Sequence, residues 1–390
     1  MSRLSFATRP GPVLFACLFV SQSAMLVLSP ILPDVAREFG VSTATAGQLR
    51  AISGATGGLT AVLLATSARR PGMRDILTAA AALVAIACVL SAAAPSFAVL
   101  AAAQALLGVG VGALVAVGIA AAGEWPAPAQ RPHVLAWAIA GMPAAWIAGM
   151  PVVGAVSDVS WRATWLAVPT VAALVALALV RLRPADAATR RGGGGRGAWR
   201  HPHVARFAAG ELLANAAWAS VLTYSGALLL ESYDVSAAVA ALGLGLVATA
   251  MVPGTFTARR HAAGATPALL ATLTAFQAAA VLLLCAVRPA PVATLALLSL
   301  MAFVNGRRSM VASALGMDAA PEDKVAVMSM RAAANQFGYL LGAAGGGLAL
   351  AAGGFPALGA ALAGLFACAV LVHLPALLPE PGPVPHESPA

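Results

Sequence analysis

FAVLAAAQALLGVGVGALVAVGIAA, residues 97–121, runs for about seven helical turns without a charged side chain, and Gln104 is its one strongly polar residue. About 20 such residues suffice for an α-helix to cross a ~30 Å hydrocarbon layer. Reading outward from it, comparable stretches follow one another near 12–32, 43–66, 75–95, 134–157 and 163–181. After a break they resume at 205–229, 235–256, 267–287, 291–313, 325–350 and 355–378. The chain of 390 residues is 60% hydrophobic and only 9% charged. A soluble domain cannot bury that much apolar surface within itself, so lipid must cover it. The expected fold class is an all-α membrane protein with twelve transmembrane helices in two six-helix bundles.

Between the sixth and seventh stretches lies one long polar segment containing Arg190, Arg191, Gly192 to Gly195 and Arg196. Its Gly and Arg content reads as a flexible linker. The expected division is therefore an N-terminal bundle over 1–182, a linker over 183–203, a C-terminal bundle over 204–380 and a tail over 381–390. A phosphate-binding loop needs Gly-x-x-x-x-Gly-Lys-Ser/Thr after a strand, and neither is present. The net charge of +9 resides in short connections, which is the positive-inside pattern rather than a nucleic-acid surface. With both termini cytoplasmic, Arg37, Arg50, Arg162 and Arg288 are the only ones of 23 Lys and Arg on the far side. Cys17, Cys88, Cys285 and Cys368 fall in separate apolar runs, so neither a disulfide framework nor a zinc site is indicated. No cofactor or metal is implied.

The connections repeat. Ala68-Arg69-Arg70 follows the second stretch, and Ala258-Arg259-Arg260 follows the second stretch of the latter half. Each triplet is followed by a glycine, Gly72 and Gly264. Two parallel halves related by an axis along the membrane normal are expected.

At these loops the chain resembles the major facilitator superfamily, and more narrowly its drug/proton antiporter and sugar-efflux branch. The family's gating loop reads Gly-x-x-x-Asp-Arg-x-Gly-Arg/Lys-Arg/Lys; here Arg70, Gly72 and Arg74 fit, while Ala65 and Arg69 replace the first Gly and the Asp. In the fourth stretch, Gln104 stands where the family commonly has an arginine linked to proton coupling. The fifth carries Gly149-Met150-Pro151-x-x-Gly154 and then Trp161-Arg162-Ala163-Thr164-Trp165, similar to the efflux-branch motif. Glycine lets helices approach closely and proline removes a backbone bond, which suits a hinge at Gly149, Pro151 and Gly154. Generic small-residue packing is the plainer alternative. Trp161 and Trp165 also read as interfacial anchors.

Polar groups inside the bilayer are costly and mark function or a paired structural site. Glu211 is the one acid clearly inside a stretch, ~10 Å from the cytoplasmic end at ~1.5 Å per residue. Glu211, Asn215 and Trp218 share a helix face. An apolar surround disfavours the charged carboxylate, which suits taking up and releasing a proton. The open alternative is a structural pair with Arg331 or Arg308. Further cavity candidates are Gln22, Gln104, Tyr224, Asn335 and Tyr339, each of which also suits a plain helix-to-helix hydrogen bond. Arg50 is expected to snorkel to the headgroups. Asp34, Glu38, Glu231 and Asp234 are expected to be solvated at the outer face.

The resemblance implies a secondary transporter in the cell membrane, an efflux permease for a small organic molecule working by proton-coupled antiport and alternating access. A single acid in an apolar cavity fits a neutral or cationic compound. Expected partners are the substrate, protons and lipid, with no nucleic acid and a monomeric state. A non-coupled facilitator or a transport-derived sensor is the alternative, motivated by the missing loop Asp and the Gln104 replacement. An enzyme is not expected, because no catalytic cluster is found.

Overall fold

The computed structural model describes residues 9–66, 72–182, 202–259, 265–288, 290–319 and 324–373. Among them there are helices and turns and no strand. In chain order the helices are α1 (Pro10–Phe39), α2 (Thr43–Thr66), α3 (Met73–Ala93), α4 (Phe97–Glu124), α5 (Arg131–Ser157) and α6 (Trp161–Arg181). The second series is α7 (Pro202–Tyr233), α8 (Ala237–Arg259), α9 (Pro267–Ala286) and α10 (Pro291–Ala319). It ends with the continuous Lys324–His373, which a kink divides into α11 (324–352) and α12 (355–373). The linker reading over 183–203 falls outside the described residues except at its last two positions, where α7 begins, and the tail over 381–390 lies outside them altogether.

Among the described residues, nine helices are long and apolar enough to cross a membrane by length and composition, the Ala333–His373 segment being one of them. Its kink turns that one into two rods. Thr43–Thr66 and Pro291–Ala319 are not among the nine. Both carry more polar side chains, Gln48 and Arg50 in the first and Asn305, Arg307 and Arg308 in the second. They pack as full members of the bundle and complete the twelve rods the sequence implies.

Local chemistry explains the departures from straight helix. At Gly354, φ is 64° and ψ −159°, a combination that side chains with a β-carbon do not tolerate, and Pro356 then restarts the helix as α12. In α6, Pro169 has no N–H to give to the Trp165 carbonyl four residues back. The backbone widens to a π turn over Leu166–Thr170, and the Thr170 hydroxyl donates to that carbonyl at 2.8 Å. α1 is interrupted at Val27, just after Leu26, whose carbonyl loses its partner because Pro30 lacks an N–H.

The packing repeats with an offset of six helices. α1 lies on α5 as α7 lies on α11; α2 on α4 as α8 on α10; α3 on α4 and α6 as α9 on α10 and α12. The halves then join through α2 against α11 and α5 against α8, which the same offset exchanges. One face carries the α1–α2, α5–α6, α7–α8 and α11–α12 turns. It is called distal here, opposite the face where α1 begins and α12 ends. Among the described residues, the halves meet from their distal ends to about mid-height, where Gly58 lies against Phe337. Thr43 Oγ1 donates to Glu231 Oε1 at 2.8 Å, and the Ala238 N–H donates to Asp158 Oδ1 at 3.2 Å. Gln48 reaches the carbonyls of Ala343 and Ala344 at 3.5 Å. A β-carbon at Gly154 would fall 2.5 Å from that of Ala241, so only glycine lets α5 lie this close to α8.

Candidate functional site

Glu211, Arg308 and Arg331 come together from α7, α10 and α11. Glu211 is completely buried; Arg308 Nη1 donates to its Oε1 at 2.6 Å and Arg331 Nε to its Oε2 at 2.9 Å. The second guanidinium also donates through Nη2 to the hydroxyl and carbonyl oxygens of Ser309, at 2.7 and 3.1 Å. Arg308 is almost as buried as the acid and its Nε meets no acceptor, whereas Arg331 keeps 18% of its side chain exposed. The cluster carries one negative charge and two positive ones. It can hold three helices in register, and Arg331 is its one member that is not fully enclosed by protein. The sequence placed Glu211 in the membrane interior and offered Arg331 or Arg308 as a partner; the structure supplies both.

The other predicted residues divide into those at the seam between halves and those inside one half. Tyr339 is buried at the seam, with the Arg50 guanidinium carbon 5.2 Å from its ring centre. Tyr224 is buried beside it and donates to the Ala343 carbonyl at 2.8 Å. Asn215 packs against Gly338 where α7 crosses α11, and Trp218 is half-buried one turn further on. Asn335 is half-buried on α11. Gln22 accepts a hydrogen bond from the Trp146 indole at 3.3 Å, and Gln104 donates to Ser91 at 3.0 Å. Both contacts stay within the N-terminal half, the first between α1 and α5 and the second between α3 and α4.

Of the proposed hinge, Gly154 and Pro151 lie against α8, where Pro151 meets Gly245, and Gly149 faces Leu26 and Val168 within its own half. In the gating loop, Gly72 caps α3 and Arg74 donates to the Arg181 carbonyl at 2.9 Å. Arg69, Arg70 and Arg260 lie outside the described residues, and Arg259 closes α8 with its side chain outside them.

Several expectations need correction. Arg50 does not snorkel: it is completely buried at the seam, because α11 and α1 cover it from both sides. Trp161 and Trp165 are buried rather than anchored at an interface. Glu38 is not merely solvated, since Arg162 donates to it at 2.5 Å and stacks over Trp161 at 4.6 Å. Asp34 pairs with Arg37 at 3.1 Å and Glu231 accepts from Thr43, while Glu231 and Asp234 stay exposed as expected. The sequence signal that was missed at Arg50 is its position: it lies ~10 Å along α2 at ~1.5 Å per residue, too deep for an easy reach to water.

Comparison with known proteins agrees with this arrangement. A bacterial homologue of the human lysosomal transporter Spinster, in an inward-facing and unoccupied conformation, superposes with a TM-score of 0.73 at 14% identity, over 96% of each chain. The same homologue in an inward-facing, occupied conformation gives 0.69 at 14% identity over 95% of each. The human organic anion transporter MFSD10 gives 0.71 at 16% identity, covering 96% of this chain and all of that one. No curated protein matches the chain in sequence. The family model described as Major Facilitator Superfamily matches residues 14–329, most of the chain, and with twelve helices that repeat at an offset of six, a charged cluster buried among α7, α10 and α11, and a seam of α2–α11 and α5–α8, this protein belongs to the Major Facilitator Superfamily.

Proposed function

We propose that this chain is an efflux permease of the cell membrane that moves a small organic molecule by alternating access, driven by proton antiport. Its bundles are 1–182 and 204–380, and the linker and both termini are cytoplasmic by the positive-inside rule. The drug and sugar-efflux branch is the sub-family reading, carried by the α5 motif. The observation that supports transport most directly is the asymmetry of the seam. Among the described residues, the hydrogen bonds joining the halves lie toward the distal face and α2 stays against α11 only as far as Gly58 and Phe337, while Arg331 keeps an exposed edge nearer the termini. In the proposed orientation that is an inward-facing state, and rocking about the seam exchanges it for an outward-facing one.

Glu211 is the proposed coupling group. A proton on its carboxyl removes the charge that balances two guanidiniums, and the α7–α10–α11 contact must then rearrange. Proton occupancy is thereby tied to the packing of α7, α10 and α11. Flux in proteoliposomes under an imposed pH gradient tests this: gradient-driven accumulation in the wild type, lost in Glu211→Gln, is the expected result. A second reading is favoured by the same cluster. Glu211 already has an arginine on each oxygen, which is what a permanent structural brace requires, so a non-coupled facilitator or a sensor of the same fold follows if flux ignores the pH gradient. A substrate and protons are the partners of the first reading, with no nucleic acid and a monomer in the membrane.

A further inference from the structure

Arg50 is a buried cation whose partners are neutral. Nη1 donates to the Met25 carbonyl on α1, and the guanidinium lies over the Tyr339 ring on α11. Nε and Nη2 meet no acceptor, although the side chain is completely buried. These two nitrogens share one edge of the guanidinium plane, the edge whose parallel N–H bonds match the two oxygens of a carboxylate. A second unsatisfied group stands in the same seam. Gln336, one turn before Tyr339 on α11, is buried, and neither atom of its amide has a partner. Its Oε1 lies 3.6 Å from where a β-carbon on Gly57 would stand, two turns along α2 from Arg50.

The buried acid does not answer this charge, because both oxygens of Glu211 are held by Arg308 and Arg331. Among the described residues, the positive charges buried in the membrane interior therefore outnumber the negative ones. A guanidinium withdrawn from water with donors unmet is costly, and an ionisable group in the membrane interior marks a functional site by default. Arg50 meets Tyr339 across the α2–α11 contact, which is a surface that separates when the distal face opens.

We propose that the transported molecule is an organic anion and that Arg50 receives its acidic group. As the seam parts, Nε–H and Nη2–H of Arg50 take the two oxygens of a carboxylate or a similar acid. The Gln336 amide supplies a further polar contact, and the Tyr339 ring covers the guanidinium when no anion is present. This rests on the transporter reading and reverses the sign of substrate charge expected from the sequence.

The test uses the purified full chain and a matched panel: benzoate, benzenesulfonate and phenylphosphonate, with neutral benzamide and cationic benzamidine. A ligand of the folded protein raises its thermal midpoint. Stabilisation by one or more of the three anions, and not by benzamide or benzamidine, is the expected result. Arg50→Gln abolishes it, lowering apparent affinity at least ~30-fold. Arg50→Lys keeps the preference for anions at weaker affinity, because an ammonium offers no fork. Arg37→Gln, an exposed change elsewhere, leaves the response intact. Stabilisation by benzamidine or benzamide alone, or an anion response that survives in Arg50→Gln, overturns the proposal. If Arg50→Gln is not monodisperse, an undiminished response in Arg50→Lys overturns it as well. If no panel member binds, the anion site falls. The transporter reading is judged separately, by spin-label distances across the distal seam, which need no substrate.

Discussion

Glu211 shows what a single carboxylate does when it is the counter-ion for one buried and one partly exposed cation. Removing it leaves Arg308 enclosed with no opposite charge, and breaking a buried pair in this way costs roughly 3–5 kcal/mol. Glu211→Gln is therefore expected to lower the thermal stability of the purified protein as well as its transport. Glu211→Gln combined with Arg308→Met removes the two fully buried charges, leaves only the partly exposed Arg331, and is expected to recover much of that loss, since apolar replacement of a buried pair is often neutral. A double-mutant cycle on melting temperature checks this; purely additive losses would mean that the two residues do not act as a pair. Recovery of stability without recovery of gradient-driven flux would place Glu211 in the coupling step. Arg50 differs in kind, because no acid is held against it and no second-site change among its neighbours is expected to restore it.

At the scale of helices, α5 carries the interface between halves through small residues. Gly154 sits where α5 touches α8, and the next larger side chains have nowhere to go. Gly154→Val is expected to hold the distal ends apart and shift the resting state toward outward opening. A spin-label pair on Ser157→Cys and Ala238→Cys, in a Cys368→Ser background, is expected to report a longer distance in that variant. Cys368 is the exposed native thiol, and the other three are buried. An unchanged distance would show that α5 and α8 yield locally instead. The motif around Gly149 and Pro151 pointed to this helix from sequence alone, because glycine and proline spacing is a local property. The length of the apolar stretches likewise located the twelve rods, since a span of hydrocarbon sets their length whatever they pack against. The partners of Arg50, Gln22 and Gln104 were not legible in the same way. They depend on which helix crosses which and at what height, and an Ala- and Gly-rich chain offers many equivalent faces. Gln104 turns toward Ser91 within its own half, while Gln336 lies in the seam.

For the whole molecule, the excess of buried positive charge bears on what drives transport. In the proposed orientation, a monovalent anion moving outward travels with an inside-negative potential, worth ~2.3 kcal/mol per 100 mV. That alone sustains a gradient of about 50-fold, without a proton. Voltage and pH gradient therefore separate the two readings of the cycle. In proteoliposomes whose potential is set by potassium and valinomycin, a facilitator for anions follows voltage and ignores pH, whereas a Glu211-coupled antiporter responds to both. Either mechanism requires the distal seam to part, and Thr43 with Glu231 marks where α2 and α7 meet across it. Thr43→Cys and Glu231→Cys in the Cys368→Ser background, joined by a short bis-maleimide, are expected to abolish flux while binding at the termini-facing side persists. A reducible linker of the same length is expected to let flux return on addition of dithiothreitol. Full flux with the linker in place would mean that these ends do not separate during the cycle, and alternating access about this seam would then be excluded.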